Sequence, residues 1–204
     1  MSNTKDRILD AALRLFARDG YEAVSTSAIA GEIGMTKGAL YKHFPDKRAI
    51  FDSLVDAMLE RHRAVGEASG LAVGAVQDAA RTYASVTPAS MADLGEALFC
   101  YWTQDRDAVA FRHLLAIERF RDERIAHVYD DLFVGGKLRY HEELFAAMVE
   151  AGVLAPGDAA QMALDFWAPV VFLMQAVDGG MDADDAVAAV RVHVIAFSNR
   201  YARS

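Results

Sequence analysis

The sequence predicts an all-α chain, and three observations carry that expectation. Apolar residues recur at three- and four-residue spacing along most of the chain. The periodic segments are bounded by residues that cap or break helices. No Asn-Gly or Asp-Gly pair sits between alternating apolar runs, so there is no hairpin signal.

Ile8, Leu9, Ala12, Leu13 and Phe16 form one helical stripe, opened by Asn3 or Thr4 and closed by Gly20, which predicts a first helix over about 4–18. Ser25 caps a second over about 26–32, with Ile29, Ala30 and Ile33 on one face and Gly34 as the stop. Thr36 caps a third over about 37–43, with Leu40 and Phe44 inward, and Pro45 ends it because the residue before a proline avoids the α region. Asp46 starts a fourth over about 47–65, with Ile50, Phe51, Leu54, Val55, Met58 and Leu59 as its apolar side. The remainder predicts helices at about 71–86, 89–104, 106–120, 123–151, 158–178 and 182–202. Gly135-Gly136 interrupts the 123–151 segment and either kinks or splits it, and Pro169 should kink the next by removing a backbone bond. "RVHVIAF" reads as a strand in isolation, but its alanine-rich setting favours helix.

The chain has 204 residues, 53% of them apolar and 25% charged, which suits one or two domains with a real core. No low-complexity tract, solenoid period or apolar run of about 18 residues is present, and the first residues lack the apolar core of a signal peptide. These features predict no membrane span. Cys100 is the single cysteine, so no intramolecular disulfide exists, and a reduced, cytoplasmic protein is expected. The net charge of −8 argues against a uniformly basic nucleic-acid binder. It is unevenly spread: residues 1–63 hold ten Lys/Arg and nine Asp/Glu, net +1, and residues 64–204 hold eleven and twenty, net −9.

The stretch "GMTKGALYKHFPDK", residues 34–47, gathers Lys37, Lys42, His43 and Lys47. With the helix before it, it has the parts of a helix-turn-helix: small Ala30 where two helices cross, Gly34 at the turn, and Ile29, Ile33, Met35 and Leu40 for a miniature core. The N-terminal residues of the second helix then face outward, the geometry for entering a major groove. Thr36, Tyr41, Lys42, His43 and Lys47 are donors suited to phosphate oxygens, and Lys47 stands at a helix start that favours an anion.

"ILDAALRLFARDGYEAVSTSAIAGEIGMTKGALYKHFPDKRAIF", residues 8–51, closely resembles the N-terminal domain of TetR-family transcriptional regulators; it shares the Gly20-Tyr21 junction, Ile29-Ala30, Gly34, Lys37-Gly38, Leu40-Tyr41, Phe44 and Lys47. "FRHLLAIERFRDERIAHVYDD" and "AGVLAPGDAAQMALDFW" resemble the family's central and penultimate helices more loosely. The resemblance implies a three-helix helix-turn-helix DNA-binding domain at 1–48 and a helical ligand-binding and dimerisation domain at 49–204. It implies a homodimer on a pseudo-palindromic double-stranded operator, acting as a repressor released by an unidentified small-molecule effector. By position, Ser25, Ser27, Thr36, Tyr41, His43 and Lys47 would contact the DNA backbone, while Lys37, Gly38 and Ala39 would face bases with Lys42 alongside. Ala39 suits a thymine methyl and Lys37 a guanine.

Two apolar stripes recur in the last two long helices: Met162, Phe166, Val170, Leu173 and Val177, and then Val187, Val190, Val194, Phe197 and Tyr201. Periodicity alone favours intrachain core; the resemblance points instead to a dimer surface built as a four-helix bundle. Candidate effector-pocket residues are His62, Phe99, Trp102, Gln104, Phe111, His113, Tyr140, Trp167, Phe172 and Gln175, apolar walls with a few polar groups to orient a ligand.

An enzyme is not expected. Cys100 has no positioned base, "RYHEELF" has Phe145 where a zinc-protease motif needs a second histidine, and neither a phosphate loop nor a Gly-x-Ser-x-Gly elbow is present. No metal or cofactor is implied. The alternative is a DNA-binding factor that acts through a protein partner, for which "RDER" (121–124) and "DADD" (182–185) offer acidic patches, though solvated helix ends explain them as well.

Overall fold

The computed structural model describes residues 3–69, 76–83 and 86–203. Among them the chain forms α1 (Thr4–Asp19), α2 (Thr26–Glu32), α3 (Lys37–Leu40), α4 (Lys47–Ala68), α5 (Val76–Tyr83), α6 (Pro88–Gln104), α7 (Arg106–Glu118), α8 (Glu123–Phe133), α9 (Gly135–Glu150), α10 (Ala159–Asp178) and α11 (Ala183–Arg200). The all-α expectation holds; the described residues add only an isolated antiparallel bridge between Leu154 and Ala202. The helices fall into two compact units, Met1–Ala64 with Arg106–His127, and Val65–Asp105 with Val128–Ser204.

In the first unit the caps are the ones the sequence supplies. Asn3 accepts from the Lys5 amide and forms a reciprocal box with Asp6, Ser25 caps α2, Thr36 caps α3, and Asp46 accepts from the Ala49 amide at 2.7 Å to start α4. Gly34, at φ +69°, makes the turn between α2 and α3, a backbone state that costs a side-chain-bearing residue energy. The core closes around Phe16, Tyr21 and Phe51, whose ring centroids lie 4.8–5.7 Å apart in tilted and edge-on pairs. Ile8, Ile29, Leu40 and Ile50 are fully buried in this unit, as are Phe111, Leu114 and Leu115 of α7, which packs on α1.

In the second unit α6 packs on α11, and α9 packs on both α5 and α10. α10 and α11 run antiparallel: Phe166 meets His193 and Phe197, while Asp165 accepts from the Tyr201 hydroxyl at 2.7 Å. Phe145, Phe166 and Phe197 form a second aromatic cluster, with His141 set against Phe145 and Phe166 and stacked on Trp167 at 5.4 Å.

Several expectations change in detail. The third helix stops at Leu40 rather than 43; residues 41–43 continue as turns, with Lys42 and His43 bonding back three residues, because the chain must leave the α region before Pro45. The 123–151 segment splits at Val134. Gly136 lies so close to Asp131 that a Cβ there would stand 2.4 Å from the Asp131 Cα, so only glycine fits the junction. α10 continues through Pro169. The helix expected at 71–86 is present over Val76–Tyr83, and residues 70–75, 84 and 85 lie outside the described residues. By length and composition α10 is also apolar enough to cross a membrane, where the sequence predicts no span.

The two apolar stripes of α10 and α11 are mainly intrachain core. Met162, Val170, Val190, Val194 and Phe197 are buried inside their unit, and Phe166, Leu173, Val187 and Tyr201 are half-buried. A buried side chain has little area to give a second chain, so of these residues the four half-buried ones retain surface for a dimer contact. The outward apolar residues are others: Leu164 and Phe172, two turns apart on α10, and Val192 on α11, at 48%, 68% and 67% exposure.

His141 gives this unit a pH signature. Burial pushes its imidazole down from 6.5 to about 4, with the nearby Lys137 charge adding to the effect, while Nδ1 meets the Lys137 carbonyl at 2.7 Å. The folded state therefore holds His141 neutral, and the unfolded chain protonates it near 6.5. The stability this contributes is complete above about pH 6.5 and is lost progressively as pH falls toward about 4. The urea midpoint should drop through that window, and His141→Phe should flatten the drop; equal slopes in both proteins would assign it to other groups.

Candidate nucleic-acid interface

α2, the Gly34 turn and α3 place most of the residues expected to meet DNA on one exposed surface. Ser25, Ser27, Thr36, Lys37, Gly38, Tyr41 and Lys42 are exposed, and Ala39, His43 and Lys47 are half-buried. The short helices are held from beneath by Ile29, Ala30, Leu40 and Phe44. The Met35 amide bonds to the Ala30 carbonyl at 2.8 Å, and the Arg7 guanidinium donates to the Ile33 carbonyl at 3.1 Å, which pins the turn to α1.

Each polar side chain has a local reason for its pose. Ser25 Oγ accepts from the Ala28 amide at 3.1 Å and Thr36 Oγ1 from the Ala39 amide at 3.2 Å. Tyr41 Oη shares a hydrogen bond with Thr26 Oγ1 at 3.3 Å, and Lys37 Nζ sits 5.6 Å from the Tyr41 ring. Lys47 folds back: Nζ donates to the carbonyls of Tyr21 at 2.8 Å and Glu22 at 3.3 Å and stands 4.2 Å from the Tyr21 ring centroid. Two of its three protons are thus spent on the loop that enters α2. Asp46, as the cap of α4, already fills the anion position expected for Lys47. An open cleft of about 340 Å³ lies beside this brace, lined by Glu22, Ala23, Val24, Ser25, Thr26, Tyr41 and Lys47.

Thr26 and Glu118 were not singled out in the sequence, and Tyr21 was noted only as part of the Gly20-Tyr21 junction. Thr26 orients the Tyr41 hydroxyl, and its neighbour Ser25 gives no hint of that. Glu118 Oε1 accepts from the Tyr21 amide at 2.8 Å and is 3% exposed. Four residues on, Asp122 accepts from Arg48 at 2.6 Å; partial burial alone would raise its carboxyl, but the bonds from Arg48 and the Ile125 amide outweigh it and hold it below the usual range.

The ten candidate pocket residues are divided between the two units. His62, Phe111 and His113 belong to the first unit and the other seven to the second. Phe111, Phe99 and Trp102 are buried in their own cores, Gln104 is exposed and donates to Asp184 at 3.1 Å, and Phe172 and Gln175 face outward. Tyr140 and Trp167 do share a neighbour, since both pack on His141, and the Trp167 indole donates to the Phe133 carbonyl at 2.9 Å.

Residues 8–54 match the model for bacterial regulatory proteins of the tetR family. The HTH-type transcriptional repressor Rv1474c of Mycobacterium tuberculosis is 40% identical over 72 residues, 35% of this chain and 38% of that protein. The nucleoid occlusion factor SlmA of Escherichia coli is 40% identical over 55 residues, 26% of this chain and 28% of SlmA. The chain thus matches well under half the length of these relatives. Solved structures resemble it along its whole length. A putative transcriptional regulator from Saccharomonospora viridis in complex with choline superposes with a TM-score of 0.70 at 20% identity, covering 100% of both chains. SmeT, the repressor of the Stenotrophomonas maltophilia multidrug efflux pump SmeDEF, superposes at 0.64 and 17% identity, covering 100% of this chain and 92% of SmeT. Residues 8–54 thus match the DNA-binding segment of the tetR family, and the whole chain shares its fold with these two regulators.

Proposed function

We propose that the protein is a DNA-binding transcriptional regulator, a homodimeric repressor released from a pseudo-palindromic operator by a small molecule, and that it works in the cytoplasm. The observation that carries the reading is the exposed row of Lys37, Tyr41 and Lys42 on a helix-turn-helix whose buried side is fully occupied. The charge division supports it: the acids that make the chain anionic lie mainly beyond residue 63. In this reading 1–48 is the reading head and 49–204 the body. Ser25, Ser27, Thr36, Tyr41, His43 and the remaining proton of Lys47 meet phosphates, and Lys37, Gly38 and Ala39, with Lys42 beside them, face bases. The relatives support the direction of control, since Rv1474c and SmeT are both described as repressors.

Dimerisation through the outward surfaces of α10 and α11 accounts for the exposed Leu164, Phe172 and Val192. Binding of a small-molecule effector is supported by the choline complex of the S. viridis regulator, and the aromatic surroundings of His141, where Tyr140 and Trp167 meet, suit a site in the body. For the effector to switch binding it must prefer one state by about 10- to 100-fold, roughly 1.4–2.7 kcal/mol. A second reading is a DNA-binding factor that acts through a protein partner; the head is also similar to that of SlmA, which is named a nucleoid occlusion factor and not a transcriptional repressor. DNA binding insensitive to metabolites, with a stable partner recovered, would select it.

The reading is tested on a duplex that the full chain enriches from a random pool; enrichment of none would refute it. Lys37→Ala should relax preference at particular base positions by about 1–3 kcal/mol per lost contact, and uniform weakening would make Lys37 a backbone anchor. Lys47→Ala should weaken binding to all sequences and lower the salt slope by about 0.9; an unchanged slope would reduce Lys47 to a brace. Phe172→Asp with Val192→Asp should give a monomer by light scattering, and a persistent dimer would place the contact elsewhere.

A further inference from the structure

The segment "ERFRDER", residues 118–124, meets the reading head at Tyr21 and Arg48 and the rest of α4 at Asp52 and Asp56. Glu118 accepts from the Tyr21 amide at 2.8 Å, Asp122 from Arg48 at 2.6 Å, and Arg124 donates to Asp52 at 2.7 Å and Asp56 at 2.6 Å. The last two ties are partly exposed and worth little singly. The first is different. A carboxylate that is 3% exposed pays heavily for leaving water unless its lone pairs are used, and here its partners are the Tyr21 amide and, at 4.0 Å, Arg121. It also lies against the Gly20 Cα, where an added Cβ would come within 3.3 Å of Oε1.

Tyr21 is therefore clasped on both sides of one residue. Its N–H goes to Glu118 and its C=O to Lys47. The next residues, Glu22 to Ser25, run along the cleft and end at the cap of α2. Whatever fixes Tyr21 fixes where Ser25 and the start of α2 stand.

We propose that Glu118, which lies outside the family-matched segment, is a positioning residue for DNA binding: by holding the Tyr21 amide it sets the loop that aims α2 and α3, so the head reads DNA only while the α7–α8 turn is seated on it. This rests on the DNA-binding reading above.

The test uses the full chain and the duplex enriched by it. Glu118→Met keeps the bulk but cannot accept the bond, and Glu118→Gln keeps an acceptor without the charge. Affinity should fall about tenfold in Glu118→Met and stay within about threefold of wild type in Glu118→Gln, the scale of one charge-assisted hydrogen bond. The salt slope should be unchanged, because Glu118 meets no phosphate. The Tyr21 amide should exchange faster with solvent in Glu118→Met. Removing a negative charge by itself would tighten binding to DNA, so the expected loss runs against the charge effect. Wild-type affinity or wild-type Tyr21 protection in Glu118→Met would overturn the proposal, and equal losses in both variants would too, since Glu118→Gln keeps the acceptor and the loss would then not be that of the bond. If Glu118→Met does not fold, Glu118→Asp decides: it keeps the charge and loses reach, so lost affinity supports the clasp and unchanged affinity overturns it. If wild type enriches no duplex, the DNA-binding reading falls and this proposal with it; if wild type binds and the variants match it, only the proposal falls.

Discussion

A helix of four residues cannot hold itself together in water, because nucleation costs more than its few hydrogen bonds return. α3 is that helix, Lys37–Leu40, and α2 is only seven residues long. Everything at the reading surface depends on how these two are held from outside. Leu40 and Phe44 anchor α3 by burial, Ile29 and Ala30 anchor α2, and the Phe16–Tyr21–Phe51 cluster supplies the floor. The ties from Arg7, Lys47 and Glu118 then fix the loops at either end. The head is thus a thin layer whose order is borrowed from α1, α4 and α7.

This explains which parts were legible in the sequence. Caps are local, and Asn3, Ser25, Thr36 and Asp46 act where the residue types and spacing place them. The all-α class and most helix ends followed from the same local rules. The Glu118–Tyr21 bond joins residues 97 apart and has no local trace. The fate of Gly135-Gly136 was open for a similar reason: the glycines mark a weak point, but the split depends on how near Asp131 the chain must pass.

The stripes of α10 and α11 teach a different limit. Periodicity identifies an apolar face but not whether it looks inward or outward. These helices have apolar residues on more than one side, so Met162 and Val194 went to the core while Leu164, Phe172 and Val192 remained outside. The pocket candidates show the same limit, for a tryptophan or phenylalanine has the same signature in a core as in a ligand wall. Trp102 and Phe111 are buried in cores, and among the ten candidates Tyr140 and Trp167 pack on His141 in a group of mixed polar and aromatic character.

The identity of the caps has a further consequence. α10 and α11 are capped by Asp158 and Asp182, but the two helices of the helix-turn-helix are capped by hydroxyls, Ser25 and Thr36. An aspartate cap turns its spare lone pairs and its charge toward whatever lies beyond the helix. A hydroxyl that accepts a backbone amide still has its hydrogen to give. Capping therefore leaves Ser25 and Thr36 as outward donors on a surface proposed to meet phosphate, where an acidic cap of equal strength for the helix would repel it. At these two positions the choice between residues that stabilise a helix equally well is made by the polarity of what is left over.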